Sequence, residues 1–230
     1  MFNLKLSVIV PVFNEEKTIN KVINKILSAN FPFEFEIIIV NDGSTDNTYK
    51  ILDRIKNEKI KIINFKKNYG KGFAIKTGIE NCSGDVVIVQ DADLEYNPKE
   101  IKKLYFRVDK NHKVVYGSRF LGSIYGMKPC NFLANKFLTL LINIIYGSNL
   151  TDTQTCYKCI HRDIFRDLNL FSNGFEIESE ITSKILKKGY KIKEVPIKYK
   201  ARTRKEGKKI GWKDGFKNIY VIFKTKFLNC

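Results

Sequence analysis

Three acidic residues stand within five positions of one another, directly after an apolar run, in the stretch VVIVQDADLEYNP at 86–98. Asp91, Asp93 and Glu95 fall where a buried strand should end, although Asp is a poor strand former and an unpaired buried charge is costly. A simple turn would explain them. A cation site would explain them too, because Mg²⁺ is commonly held by one or two carboxylates together with phosphate oxygens of a ligand.

Three more polar clusters follow apolar runs in the same way, around Glu15, Asp42 and Lys71. The carboxyl ends of parallel strands meet at one edge of a sheet, and ligands bind beyond that edge. Asn, Asp, Gly and Ser are also ordinary turn formers, so one such cluster means little. Four clusters on the same edge predict a ligand-binding cleft.

The residue types indicate what this cleft would bind. Asp42 is suited to accept hydrogen bonds from a base or a ribose, and the turn Gly70-Lys71-Gly72 would let backbone N–H groups approach a phosphate beside a lysine charge. The GxxxxGK[ST] spacing of a P-loop is absent, and no GxGxxG follows the first apolar run, which argues against a dinucleotide. A nucleoside diphosphate coupled to a transferable group fits these residues best.

The elements that must position these residues alternate regularly through the first half of the chain. Continuous apolar runs separated by helical patterns predict a parallel sheet covered on both faces, which is a doubly wound α/β architecture. The predicted strands are 4–12, 34–40, 59–65, 85–91 and 113–118, and the helical segments between them are 16–29, 48–58, 73–82 and 98–108.

Beyond the last of these strands the alternation stops, and a long apolar helix is predicted over 129–147. A buried helix would tolerate the narrow polar stripe on it if the stripe were hydrogen-bonded. A helix dipped into a bilayer face would tolerate it as well, with the stripe turned toward the protein. The members of the stripe are four residues apart: Asn131, Asn135, Thr139 and Asn143. Later segments predict a helix, a strand, a basic loop and a last helix at 175–189, 191–199, 201–211 and 212–227.

The positive charge is concentrated near the C-terminus. The chain carries a net charge of +17, and residues 181–230 hold 16 Lys and Arg against 3 Asp and Glu. This imbalance predicts an anionic partner, which would be nucleic acid, anionic lipid or a phosphate-bearing substrate. The helix predicted at 212–227 adds an aromatic face bordered by lysines, a pattern that either docks on the domain or binds a membrane surface.

Cysteine usage and hydropathy indicate the redox compartment of the protein and whether it spans a membrane. The five cysteines are dispersed along the chain, so no disulfide framework is expected and a reducing compartment is favoured. No signal peptide is predicted. The longest apolar run, 137–146, has about half the length that a transmembrane helix needs. We therefore expect that the chain does not span a membrane.

Several motifs in fixed order resemble those of the family 2 glycosyltransferases. Over roughly residues 5–220 the chain is similar in particular to the polyprenyl-phosphate sugar transferases of the dolichyl-phosphate mannose synthase type. The motifs of the first half are SVIVPVFNEEKTI, IIIVNDGSTDNT, NYGKGFAIKTGI and DVVIVQDADLEYNP, and those of the second half are YGSRFLG, LTDTQTCYK, GFEIESEIT and EVPIKYKARTRKEGKKI.

The resemblance implies a single GT-A domain over 1–230, with a mostly parallel central sheet and helices on both faces. Residues 1–119 would bind a nucleotide-sugar, 120–211 would bind the acceptor, and 212–227 would be a basic amphipathic helix. The implied reaction is inverting transfer of a hexose to a polyprenyl or dolichyl phosphate, with Mg²⁺ or Mn²⁺ as cofactor. GDP-mannose is the favoured donor because of the DADLEYNP form. The alternatives are a UDP-sugar such as UDP-glucose, or a soluble or glycan acceptor.

The resemblance also assigns roles to individual residues. Asp91, Asp93 and Glu95 would hold the metal, although relatives often have Gln at the position of Glu95. Asp93, Arg119 and Arg202 would be catalytic, with Arg119 gripping the acceptor phosphate. The implied substrate-binding set is Pro11, Phe13, Glu15, Asp42, Lys71, Asp91, Arg119, Asp152, Glu178, Arg202, Lys208 and Lys209.

One acceptor contact departs from the pattern of the family. Relatives commonly carry a second arginine near the start of the long apolar helix, where this chain has Lys128 and Asn131. The implied partners are the donor, the lipid phosphate and a small membrane-anchoring subunit, and the protein would lie peripherally on the cytoplasmic face of a membrane. The rival from another class is a nucleic-acid-binding module that uses the basic tail. It leaves Asp91 and Asp93 unexplained, so no nucleic acid partner is expected.

Overall fold

The computed structural model describes residues 4–202 and 212–228, apart from the side chains of residues 212 and 213, and it contains one mixed sheet. The strands are β1 Leu6–Val12, β2 Phe35–Asn41, β3 Ile60–Asn64, β4 Val86–Val89, β5 Val114–Tyr125, β6 Lys158–His161 and β7 Lys193–Lys200. They lie side by side in the order β3-β2-β1-β4-β6-β5-β7.

The first four strands form the parallel half of the sheet. β1 pairs in parallel with both β2 and β4, and β2 pairs in parallel with β3. The apolar runs of β1, β2 and β4 are continuous because both faces of these three strands are covered: all of β4 and nearly all of β1 and β2 are buried. The predicted α/β architecture with a mostly parallel sheet is confirmed.

Among the described strands, β6 is the one that the sequence did not indicate. It runs antiparallel to β4 on one side and to β5 on the other. Its four residues, KCIH, carry neither a long apolar run nor a clear alternation. Its pairing is therefore set by its neighbours rather than by its own pattern. β6 joins β4 to β5, and β5 pairs in parallel with β7.

The helices follow the predicted segments, with a few shifted ends. Their bounds are α1 Ile19–Leu27, α2 Thr48–Asp53, α3 Lys71–Glu80, α4 Ile101–Tyr105, α5 Pro129–Tyr146, α6 Arg162–Asp167, α7 Ile177–Lys187 and α8 Trp212–Phe227. α2 ends well before the predicted residue 58, and the short α6 was not predicted. β5 also runs past its predicted end at residue 118 to Tyr125.

Three of these helices, α5, α7 and α8, pack together. Leu138 and Ile142 of α5 meet Ile222 of α8, and the Tyr146 hydroxyl donates to the Ile222 carbonyl at 3.0 Å. No described helix is both long and apolar enough to cross a membrane. Apolar side chains remain exposed on two helices, namely Phe132, Leu133, Phe137, Leu140 and Ile144 of α5 and Phe216, Tyr220, Phe223 and Phe227 of α8.

The polar stripe of α5 is turned toward the protein. Thr139 is buried, and its hydroxyl lies 3.1 Å from that of Thr153. The Asn143 amide donates to the Leu150 carbonyl at 2.8 Å, and its oxygen accepts the Leu150 N–H at 3.0 Å. Thr139 and Asn143 of the stripe are hydrogen-bonded within the protein, but the opposite apolar face of the helix is exposed. α5 is therefore not a buried helix.

Candidate active site

The polar clusters predicted at one sheet edge meet around a cavity of about 890 Å³. Among the described residues that the sequence assigned to binding or catalysis, Asp152 is the one that does not line it. Lys208 and Lys209 lie outside the described part of the chain. The assigned residues that line the cavity are Pro11, Phe13, Glu15, Asp42, Lys71, Asp91, Asp93, Glu95, Arg119, Glu178 and Arg202.

A lysine between two carboxylates forms part of the cavity wall. Lys71 is the first residue of α3, and its Nζ lies 2.8 Å from Asp91 Oδ1 and 3.2 Å from Glu178 Oε1. Burial alone would lower the pKa of Lys71, but the charges of Asp91 and Glu178 raise it well above its ordinary value. The ammonium group therefore stays charged at neutral pH, next to the carboxylate that follows β4.

Asp93 is crowded by other acidic groups. Burial raises its pKa to about 7, helped by the charges of Asp91 and Glu95 and opposed by Arg202. Arg202 Nε lies 3.6 Å from Asp93 Oδ2, and Arg202 Nη1 lies 3.0 Å from Glu15 Oε1. Any additional positive charge in the cavity would stabilise the ionised form of this carboxylate.

Glu95 turns toward the end of β7. Its Oε1 accepts the Arg202 N–H at 2.7 Å, and its Oε2 accepts the Tyr199 hydroxyl at 2.6 Å. Over residues 4–202 and 212–228, no group of three or more His, Cys, Asp or Glu is arranged to hold a metal ion. Asp91 and Asp93 still fit an ion that is bound jointly with phosphate oxygens, which needs one or two carboxylates. A metal-binding role for Glu95 stays a prediction.

Asp42 anchors the turn before α3. Its two carboxylate oxygens accept the backbone N–H groups of Tyr69 and Gly70, at 2.8 and 2.7 Å. Burial nevertheless raises the pKa of Asp42 above its ordinary value. Because an ionised carboxylate has about four lone-pair sites, each oxygen can accept one further hydrogen bond from a ligand in the cavity.

The structure corrects the role predicted for the glycines of this turn. The Gly70 N–H donates to Asp42, and the Gly72 N–H donates to the Asn173 carbonyl at 2.7 Å, so both donors are already engaged. A Cβ at Gly70 would lie 2.3 Å from the Asn173 oxygen, and a Cβ at Gly72 would lie 2.5 Å from the Ser172 oxygen. The glycines thus allow the backbone at 172–173 to approach closely, rather than allowing a phosphate to do so.

Arg119 is held in place by an acid behind the cavity wall. Its Nε and Nη2 donate to the two oxygens of Asp152 at 2.7 and 2.8 Å. Burial alone would lower the pKa of Arg119, but Asp152 raises it well above its ordinary value. Asp152 is fully buried and its own N–H donates to Glu194 Oε1 at 3.0 Å. Asp152 therefore acts on Arg119, which lines the cavity.

Several residues of the cavity wall carry no recognisable signal in the sequence. Gln154 donates to the Ser179 hydroxyl at 2.9 Å, and that hydroxyl donates to Asn218 Oδ1 at 2.6 Å, which links the segment before β6 to α8. No spacing marks such amides and hydroxyls, because they are common on ordinary surfaces. Further lining residues without a predicted role are Tyr96, Met127, Cys130, Cys156 and Tyr199.

The fold and the cavity together define the class of the protein. A mixed α/β sheet with carboxylates beyond its parallel strands is the GT-A arrangement, and solved structures that resemble this chain have the same fold. The model of glycosyl transferase family 2 matches residues 7–168, which is more than half of the chain. The chain belongs to glycosyl transferase family 2, as its motifs predict.

Two relatives illustrate the similarity in sequence. Dolichol-phosphate mannosyltransferase of Pyrococcus furiosus is 28% identical over 211 residues, which cover 89% of this chain and 59% of that protein. An uncharacterized glycosyltransferase of Synechocystis is 37% identical over 120 residues, which cover 50% of this chain and 38% of that protein. The chain thus spans less than two thirds of the length of either relative.

Solved structures resemble the whole described fold. Glucosyl-3-phosphoglycerate synthase from Mycobacterium tuberculosis, in complex with Mn²⁺, UDP and phosphoglyceric acid, superposes with a TM-score of 0.76 at 17% identity, covering 99% of this chain and 80% of that chain. S. aureus TarS in complex with UDP-GlcNAc superposes with a TM-score of 0.67 at 20% identity, covering 98% of this chain and 67% of that one. At these identities the likeness shows the fold.

Proposed function

We propose that this glycosyltransferase transfers a hexose with inversion from a nucleotide-sugar to a polyprenyl phosphate, with GDP-mannose favoured over UDP-glucose as the donor. The observation that carries the proposal is a cavity that joins the carboxylates of the sheet edge to the inner side of α5, a helix whose outer face is apolar and exposed. The similarity to dolichol-phosphate mannosyltransferase over 89% of the chain supports this donor and acceptor class.

The donor would bind at the ends of β1, β2 and β4. Lys71 would face the diphosphate, since it is charged and lies 2.8 Å from Asp91. A divalent ion such as Mg²⁺ or Mn²⁺, held by Asp91 and Asp93, would supply Lewis-acid stabilisation of the departing diphosphate. Arg202, which lies beside Asp93, would add a second positive charge there. The residues assigned to the nucleoside are Pro11, Phe13, Glu15 and Asp42.

The acceptor phosphate would bind to Arg119. Asp152 engages Nε and Nη2 of the guanidinium group, which leaves Nη1 for the phosphate. A phosphate monoester is already an anion at neutral pH, so it needs no strong general base. Neither His112 nor His161 lines the cavity. A phosphate oxygen would attack the anomeric carbon as the bond from that carbon to the diphosphate breaks, and no proton has to be transferred.

The exposed faces of α5 and α8 would rest on the membrane that holds the acceptor. α8 docks on the protein through Ile222 and Asn218, while Phe216, Tyr220, Phe223 and Phe227 are exposed. Lysines border these side chains and would meet anionic lipid head groups. The inner side of α5, with Asn131 and Asn135, would then lie next to the phosphate of a membrane-embedded lipid. The bordering lysines in the described residues are Lys217, Lys224 and Lys226.

The test is a donor and acceptor panel. Purified protein receives GDP- and UDP-sugars with a polyprenyl phosphate and either Mg²⁺ or Mn²⁺, and glycolipid formation is measured. We expect product with one donor, and we expect Asp93→Ala to abolish it because the variant loses a central carboxylate of the site. The matched control is Asp163→Ala, which removes an aspartate whose side chain is 75% exposed and outside the cavity.

Two results would overturn this proposal. One is normal turnover by Asp93→Ala. The other is undiminished sugar transfer without lipid phosphate, which would indicate a soluble or glycan acceptor instead.

A further inference from the structure

We infer that Lys158, a buried lysine outside the cavity, is a positioning residue for the diphosphate site. It binds Glu178, and through Glu178 it determines the position of the Lys71 ammonium group. Lys158 is the first residue of β6 and is 1% exposed. It does not line the cavity, whereas Glu178 and Lys71 both do. The inference rests on the proposed function, in that it assigns Lys71 to the diphosphate of a nucleotide-sugar.

The surroundings of Lys158 fix its ammonium group from several sides. Nζ donates to Glu178 Oε2 and to the Thr155 carbonyl, and it lies 5.2 Å from the centre of the Tyr116 ring. The stem of the side chain is buried with the charge. Burying a lysine charge is costly unless the charge is paired. The Glu178 carboxylate is therefore the main group that stabilises the Lys158 ammonium in this position.

Glu178 connects Lys158 to the cavity. Its Oε2 is engaged by Lys158, and its Oε1 lies 3.2 Å from Lys71 Nζ. That Oε1 is buried and has no hydrogen-bond partner of good geometry among the described residues. Glu178 is therefore bound mainly by Lys158, and Lys71 is left with its shorter contact, 2.8 Å, to Asp91. Four charges of alternating sign follow one another from the interior to the cavity.

The order of these charges predicts what the loss of Lys158 would do. With a neutral side chain at this position, Glu178 would be a buried carboxylate with Lys71 as its remaining cation. Because an unpaired buried charge is strongly destabilising, Lys71 would be drawn from Asp91 toward Glu178. The cavity would then present less positive charge to a diphosphate, even though no residue that lines it had been replaced.

The chain offers a matched control for a purely structural effect. Lys184 is 4% exposed, and its Nζ lies 3.0 Å from Glu180 Oε1. It also donates to the Asn169 carbonyl at 2.6 Å. Both lysines pair with a glutamate of α7, and neither lines the cavity. Lys184→Met therefore breaks an equivalent buried pair whose carboxylate does not contact Lys71.

The experiment measures binding of GDP and UDP by isothermal titration calorimetry with Mn²⁺ in excess. For Lys158→Met we expect the affinity for the nucleotide to fall about 10- to 100-fold. This is the range of losses seen when a residue that orients the direct ligands of a metal site is replaced. For Lys184→Met we expect the wild-type affinity, although both variants should melt at a lower temperature. Wild-type affinity in a folded Lys158→Met protein, or an equal loss in both variants, would overturn the inference.

A second pair of variants covers the case in which Lys158→Met does not fold. The double variant Lys158→Met with Glu178→Gln removes both charges of the buried pair, whereas Glu178→Gln alone leaves Lys158 with the Thr155 carbonyl and an amide oxygen as acceptors. If Lys158 acts only through Glu178, the two proteins bind nucleotide equally, and an additional loss in the double variant would contradict the inference. Binding of neither GDP nor UDP by the wild-type protein would instead count against the proposed function.

Discussion

Arg119 and Asp152 form a buried ion pair, of which one member lines the cavity and the other lies behind its wall. The family resemblance places both in the substrate-binding set, and in the structure Asp152 is fully buried while Arg119 lines the cavity. Residue type indicates that an acid and an arginine are available. It does not indicate that they pair across 33 positions, because that contact depends on where β5 and the segment before β6 meet.

Replacing the hidden member of this pair should cost both stability and activity. Asp152→Ala leaves a buried guanidinium group without its carboxylate, which typically costs about 3–5 kcal/mol in the free energy of unfolding. Urea denaturation measures this loss. Because Arg119 would also lose its orientation, we expect a higher KM for the acceptor phosphate in the protein that remains folded.

The same measurement on Asp163→Ala should show a change within about 0.5 kcal/mol, since that aspartate lies on the surface. A stability of Asp152→Ala close to that of this control would show that the pair does not matter for folding.

Strands and helices are predicted well from the sequence where the hydrophobic pattern is pronounced. β1, β2 and β4 are continuous apolar runs, and the predicted ends of each lie within two residues of the observed ones. β6 was missed because four residues carry too little pattern, and its strand pairing comes from its neighbours. The glycines at 70 and 72 were recognised as a special turn, but the backbone that approaches them, at 172–173, is about a hundred positions away.

Glu36 of β2 ties two elements together and makes stability depend on pH. Its Oε1 accepts the Ser7 hydroxyl at 2.6 Å, the Ser83 N–H at 2.6 Å and the Gly84 N–H at 3.1 Å. Burial works against the charged form, but these hydrogen bonds outweigh it, so the pKa of Glu36 lies below its ordinary value of 4.5. The contribution of Glu36 is therefore present above about pH 4.5 and is lost as the pH falls through the lower pKa of the folded state.

We expect Glu36→Gln to lower the free energy of unfolding by about 1–2 kcal/mol at pH 7, because hydrogen bonds to a charged group are worth about this much when they are partly solvent-screened. The difference from the wild-type protein should stay constant down to about pH 5 and shrink below it. Chemical denaturation at a series of pH values measures this trend.

The control is Glu34→Gln on the same segment, whose exposed carboxylate pairs with Lys5 at 3.1 Å. An exposed pair of this kind contributes about 0–1 kcal/mol, so little change is expected. A difference for Glu36→Gln that grew toward low pH would contradict the assigned pKa direction.

At the scale of the whole molecule, the exposed apolar surface and the excess positive charge meet at α5 and α8. The sequence indicated an amphipathic helix at 212–227 and left docking and membrane binding open. The structure shows that α8 is docked through Val221, Ile222 and Thr225, and that it still exposes Phe216 and Tyr220. Periodicity identifies an apolar face, but it cannot show how much of that face a neighbouring helix will cover.

This arrangement predicts how the protein binds vesicles. Leu133 and Ile144 of α5 are 67% and 71% exposed, and replacing both with Glu places charge on the face proposed to rest on lipid. Burial of each such side chain is worth about 1.5–3 kcal/mol, so partition into phosphatidylcholine–phosphatidylserine vesicles should fall more than about tenfold. Co-sedimentation measures the bound fraction. Nucleotide affinity without lipid should not change, because neither residue lines the cavity.

The control is Phe106→Glu, which places the same charge on a 51% exposed aromatic residue outside α5 and α8. Vesicle binding of this variant should match that of the wild-type protein. Added salt should weaken binding to the anionic vesicles, since screening reduces the attraction of the lysines, and the apolar contribution should persist. If the Leu133 and Ile144 double variant bound vesicles as well as the Phe106 control, α5 would not be the surface that meets the membrane.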